Sequence, residues 1–107
     1  MSPFFQAVQA EAEVGDKLLV VDFTATWCGP CQRIAPAFAA LADEYADSTI
    51  CVKIDVDVLG ELAQELGVTS MPTFLFFRSG EVIDTMRGAD EAGLRALIAE
   101  HSMVPAT

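Results

Sequence analysis

Two cysteines separated by two residues, in Cys28-Gly29-Pro30-Cys31, are the groups in this chain best suited to chemistry. The thiolate is the form that attacks disulfides and binds metals. Two intervening residues let the second sulfur reach the first without unwinding a helix. Pro30 stiffens the connection, and Gly29 leaves room for an approaching chain. Gly-Pro between the cysteines is a more specific signal than a bare Cys-x-x-Cys. The chain has three cysteines, an odd number and too few for a disulfide framework. In a chain without a secretory leader, such a pair points to redox chemistry or metal binding rather than to a structural staple. A structural zinc site wants four ligands. The remaining candidates, Cys51 and His101, form no second close pair, which weighs against zinc.

The elements around the pair follow from periodicity. Leu18 to Thr24 is a continuous apolar run interrupted by one acid, Asp22, and fits a central strand covered on both faces. After Cys28, the residues Ile34, Ala35, Phe38, Leu41, Ala42 and Tyr45 fall on one helical face. Pro36 lies inside that helix and predicts a kink. Cys28 then sits where strand gives way to helix. There the unpaired N–H groups of the first turn and the helix dipole favour an anion, so its thiol should ionise more readily than a free cysteine.

The rest of the chain supports this unit. Pro3 to about Val14 reads as a helix with Phe4, Phe5, Val8 and Ala12 at helical spacing, stopped by Gly15-Asp16. Thr49 to Val56 alternates, with Ile50, Val52, Ile54 and Val56 on one side. A short helix over about Leu59 to Leu66 ends at Gly67. Thr73–Phe77 and Val82–Met86 form a hairpin through Ser79-Gly80. Asp90 caps a last helix whose inner face is Leu94, Leu97 and Ile98. The long helix between the first two strands implies a right-handed parallel crossover, and the hairpin adds an antiparallel edge. The expected fold is α/β, with a mixed sheet between helices.

Composition narrows the function classes. A length of 107 residues fits one domain, spanning 1–107, and 52% apolar residues supply a core. Sixteen acids against six bases give a net charge of −10, which argues against nucleic acid as a partner. The N-terminus has no basic region or long apolar stretch, and no apolar run approaches membrane-spanning length, so the expected setting is cytoplasmic or nuclear, away from membranes.

From Val21-Asp22-Phe23-Thr24-Ala25-Thr26-Trp27-Cys28-Gly29-Pro30-Cys31 onward, the sequence closely resembles the thioredoxin family. The likeness continues through Ala35-Pro36, Lys53-Ile54-Asp55-Val56-Asp57, Val68-Thr69-Ser70-Met71-Pro72-Thr73-Phe74, Gly80 and Gly88-Ala89, covering Gly15 to about His101. The resemblance implies the thioredoxin fold and a thiol–disulfide oxidoreductase that reduces protein disulfides through Cys28 and Cys31. Cys28 is then the attacking and Cys31 the resolving cysteine. Asp22 matches the family's buried acid that takes the proton from Cys31, and Lys53 the lysine beside that acid. A plain solvated strand lysine is the alternative for Lys53. Pro72 matches the family's cis-proline facing the cysteines, and the Met71 backbone would pair with an extended substrate strand. Trp27, Gly29, Pro30, Met71, Pro72, Gly88 and Ala89 would line the substrate groove. The implied partners are protein disulfides and a thioredoxin reductase, an NADPH-dependent flavoprotein. The protein itself would need no bound cofactor.

Three features depart from the family pattern. The chain starts almost in its first helix, where the family usually opens with a short strand, so the edge beside the Thr49–Val56 strand is expected to be bare. Bare edges invite pairing with another chain, which allows a monomer or a weak homodimer. Thr24 stands where many bacterial relatives carry tryptophan, and Gln32 where a cation usually follows the second cysteine. Cys51 lies outside the active motif and reads as a small buried strand residue. The alternative function is a redox-idle or regulatory thioredoxin-like binding module of a larger assembly. An oxidase or isomerase of an oxidising compartment is disfavoured by the Gly-Pro dipeptide.

Overall fold

The structure, a computed structural model, describes residues 2–102. Its elements run α1 (Pro3–Val14), β1 (Leu18–Thr24), α2 (Gly29–Glu44), β2 (Thr49–Asp55), α3 (Gly60–Glu65), β3 (Thr73–Arg78), β4 (Glu81–Arg87) and α4 (Glu91–Ser102). This is the order expected from periodicity.

The four strands form one sheet in the order β2-β1-β3-β4. β1 runs parallel to β2 and antiparallel to β3, and β3 and β4 form the antiparallel hairpin. With a strand on each side and helices above and below, β1 is buried almost throughout, which explains its unbroken apolar run. Its alternation sorts the core into two layers. Leu19, Val21 and Phe23 pack with Phe5 and Ala12 of α1 and with Leu62 and Ala63 of α3. Leu18 and Val20 pack with Ile34, Phe38 and Leu41 of α2 and with Leu94 and Ile98 of α4. Strand β3 sends Leu75 and Phe77 into the first layer and Phe74 and Phe76 into the second. Each of these buried Val, Leu, Ile and Phe side chains stabilises the fold by roughly 1.5–3 kcal/mol.

Local chemistry sets the ends of the elements. The Ser2 hydroxyl accepts the Phe5 N–H at the start of α1, and Pro3 occupies its first turn. Asp90 Oδ1 accepts the Gly93 N–H at 2.9 Å and starts α4. Ser79 and Gly80 take φ of 54° and 80° in the β3–β4 turn, as a tight hairpin requires.

Four expectations need correction. Phe4, grouped with Phe5, Val8 and Ala12 at helical spacing in α1, is 51% exposed. It lies about 100° around the helix from fully buried Phe5, at the rim of the apolar stripe rather than at its centre. Strand β2 stops at Asp55 rather than Val56, because the chain turns there: the Asp55 carbonyl accepts the Val58 and Leu59 N–H groups. Helix α3 loses a residue at each end relative to Leu59–Leu66, with no side-chain cap at Leu59. Strands β3 and β4 extend to Arg78 and to Glu81–Arg87, the pairing carrying on through a register shift at Phe76/Phe77 to the turn itself.

Strand β2 is an edge of the sheet among the described residues. No helix is long and apolar enough to cross a membrane among the described residues.

Candidate active site

The β1–α2 connection carries the cysteines. Ala25 is buried at its base, and its carbonyl accepts two hydrogen bonds, from the Cys28 N–H at 3.2 Å and from Gln32 Nε2 at 3.0 Å. Cys28 is the N-cap of α2, with extended backbone, and its sulfur accepts the Cys31 N–H at 3.2 Å. Cys28 and Cys31 are joined as a disulfide. Once the pair is reduced, the same N–H and the helix dipole stabilise a Cys28 thiolate. Both cysteines are buried, at 6% and 2% exposure, in a small cluster with Ala25, flanked by Val56 and Met71.

Met71 faces the pair from the loop before β3. Its carbonyl oxygen lies 3.8 Å from Cys28 Sγ, and the Met71-Pro72 peptide bond is cis. The Pro72 carbonyl accepts the Gly88 N–H at 3.0 Å, which ties the start of β3 to the end of β4. Gly88 has φ of 94°, a conformation that L-residues rarely adopt, so the bend beside Pro72 depends on glycine. Ala89 is half-buried and packs against the α2/α4 core layer. At Gly29 an added Cβ would meet nothing within 4 Å, so this position opens onto free space next to the sulfurs. Pro30 is exposed beside it.

Asp22 is fully buried, and neither carboxylate oxygen has a hydrogen-bond partner. On β1 it continues the face of Leu18 and Val20, the face covered by α2. Cys31 lies one turn before Ile34 on the buried side of that helix, so acid and second cysteine share the layer between β1 and α2. Burial pushes the Asp22 carboxyl up to about 6, and the charge of Lys53 partly offsets the rise. Lys53 is the β2 partner of Asp22 in the parallel register and is itself exposed. Both readings of this lysine hold together: it is solvated, and its charge reaches the acid.

Trp27 is 66% exposed, so it is a surface residue rather than core. Its Nε1 donates to Asp57 Oδ2 at 2.9 Å, which pins the indole across the β2–α3 loop. Asp57 and Gln32 are the residues that sequence reasoning did not assign to the site. Both are local polar side chains, and only three-dimensional proximity distinguishes them from solvated ones. Cys51 and His101 lie elsewhere. Cys51 packs against the α2/α4 core layer, and burial pushes its thiol up to about 12. His101 contacts Asp84 near the end of α4.

Comparison with known proteins agrees with this geometry. The thioredoxin family model matches residues 2–100. A thioredoxin from Malassezia sympodialis is 51% identical over 89 residues, covering 82% of this chain and 85% of the relative. Thioredoxin H4 from Arabidopsis thaliana is 48% identical over 94 residues, covering 88% and 79%. The crystal structure of a thioredoxin from Nicotiana alata superposes with a TM-score of 0.85 at 40% identity, covering 94% of this chain and 87% of the other. This chain belongs to the thioredoxin family, and with Cys28 and Cys31 joined at the start of α2 it is a thiol–disulfide oxidoreductase that reduces protein disulfides.

Proposed function

We propose that Cys28 attacks the substrate and Cys31 resolves the intermediate. The observation carrying this reading is the Cys31 N–H donated to Cys28 Sγ at the N-terminus of α2. It favours the thiolate on Cys28 and leaves Cys31 as the thiol to be deprotonated. The Cys28 thiolate attacks one sulfur of a partner's disulfide, forms a mixed disulfide and expels the partner's other sulfur as a thiolate. Asp22, ionised at neutral pH with a pKa of about 6, accepts the Cys31 proton. The Cys31 thiolate then attacks Cys28 Sγ, closes the Cys28–Cys31 disulfide and releases the second partner sulfur. The partner gains two electrons and the dithiol loses two. Lys53 keeps the Asp22 carboxylate available as a base.

The substrate approaches over Gly29 and Pro30, where there is open space. An extended segment pairs with the backbone of Met71 before cis Pro72, and Trp27, Gly88 and Ala89 border it. The family's partners are protein disulfides and thioredoxin reductase. The reductase returns electrons from NADPH through its flavin. This reading takes residues 1–107 as a single thioredoxin domain with no bound cofactor, in the cytoplasm and also the nucleus. It takes the protein as a monomer, or as a weak homodimer paired along the β2 edge. A monomeric mass by analytical ultracentrifugation at high concentration rejects the dimer.

The catalytic roles are tested by substitution. Cys31→Ser should trap substrate proteins as mixed disulfides on Cys28, whereas Cys28→Ser should abolish insulin disulfide reduction and trap nothing. A Cys31→Ser protein that traps no disulfide substrate would overturn the assignment.

A further inference from the structure

Outside the redox site, three potential metal ligands converge where α4 crosses β4. The liganding atoms of Asp84, Glu100 and His101 all lie within 4.8 Å of one another. His101 Nε2 is 2.9 Å from Asp84 Oδ2 and 3.2 Å from Glu100 Oε2. A zinc ion about 2.0–2.2 Å from each ligand keeps its ligands roughly 3–3.5 Å apart, so the two spacings from Nε2 need little adjustment, and the two carboxylates, which lie within 4.8 Å, can be drawn together through the exposed Glu100 side chain.

Two of the three ligands are held in place. The Thr85 N–H donates to Asp84 Oδ1 at 2.8 Å, which leaves Oδ2 turned toward the imidazole. The His101 ring lies 6.0 Å from the Phe76 ring, and Arg78 Nη2 donates to the His101 carbonyl. The Thr85 contact to the carboxylate is the kind that orients a ligand in metal sites, while the contacts of His101 fix its backbone and the placement of its ring.

The imidazole Nε2 makes its hydrogen bond with Asp84 Oδ2, and Glu100 Oε2 approaches the same nitrogen at 3.2 Å without one. Two carboxylates around one imidazole also leave surplus negative charge even when the ring is protonated. A divalent cation in place of that proton balances the charge and takes all three ligands.

We propose that Asp84, Glu100 and His101 form a surface site for a borderline divalent transition metal, with zinc as the representative ion. One imidazole and two carboxylates suit zinc, copper or nickel. Side-chain exposures of 19% for His101, 34% for Asp84 and 69% for Glu100 leave a fourth position open to water. Asp84 pairs with Phe76, three residues along β4 from the Thr73–Arg87 pair at the cysteine end. At about 3.3 Å per residue, that is some 10 Å along the strand. The metal would clamp α4 to β4 without touching the sulfurs.

The test uses untagged, oxidised protein, in which the Cys28–Cys31 disulfide removes the competing dithiol. His101 is the only histidine, so its imidazole resonances are unambiguous. Zinc chloride should shift or broaden them saturably at one equivalent, and Asp84→Asn should weaken binding by at least tenfold in calorimetry. Imidazole signals unmoved by a tenfold excess of zinc would overturn the proposal, and so would an Asp84→Asn protein that binds as tightly as wild type. The imidazole readout comes from wild type, so a poorly folded variant leaves the test intact.

Discussion

Asp22 and Lys53 stand opposite one another across the parallel β1–β2 pair, yet the carboxylate is fully buried and the lysine is exposed. The acid lacks any hydrogen-bond partner, so the lysine charge is its main electrostatic support. Burial pushes the carboxyl up to about 6 from near 4, and the lysine charge opposes part of that rise. It sits at the meeting of stability and catalysis, because the ionised form that can take a proton is the form that burial disfavours.

Linkage makes this a prediction about pH. The folded protein keeps the Asp22 proton up to about pH 6, whereas the unfolded chain loses it near pH 4. Between these values the folded state binds more protons, so stability falls as pH rises, and above pH 6 the penalty of about 3 kcal/mol is complete. Asp22→Asn should therefore stabilise the protein by about 1–3 kcal/mol at pH 7.5, with the gain vanishing below pH 4. Denaturant melts at the two pH values measure it. The same variant should slow release of mixed disulfides. A stabilisation independent of pH would show that the carboxylate charge is not its source.

The Trp27–Asp57 hydrogen bond predicts an effect on substrate binding. The indole is exposed and is held by one carboxylate. Asp57→Ala frees it to leave the rim of the groove, at a stability change under about 1 kcal/mol because the bond is exposed. The expected result is a severalfold higher KM for protein disulfides, with the rate of small-disulfide reduction little changed. Equal losses on both substrates would instead place Asp57 in the chemistry of the sulfurs.

Most of this architecture is legible in the chain because its signals are local. The unbroken run Leu18–Thr24 marks the central strand, and Cys28 before Gly29-Pro30 marks the start of α2. The family motif adds the cis bond at Met71-Pro72, which no propensity signals. Illegible were the features made by separated segments meeting. Asp57 reaches Trp27 from 30 residues away, and Asp84 reaches His101 from 17. Gln32 departs from the family's usual cation, yet its amide braces the Ala25 carbonyl under the redox loop. Phe4 and Phe5 read alike as letters, and only the packing of α1 on the sheet separates the exposed ring from the buried one.

Cys51 supplies a contrast within one molecule. Burial against the α2/α4 core layer pushes its thiol up to about 12, whereas Cys28 has the start of a helix to favour its thiolate. At pH 8 a thiol with a pKa near 12 is ionised to about one part in ten thousand. Brief treatment of the reduced protein with iodoacetamide at pH 8 should therefore label Cys28 and leave Cys51 unmodified, as read by peptide mass spectrometry. Cys51 should become reactive only on addition of denaturant. Labelling of Cys51 at a rate near that of Cys28 would show that burial on the β2 strand does not suppress ionisation of this half-buried thiol.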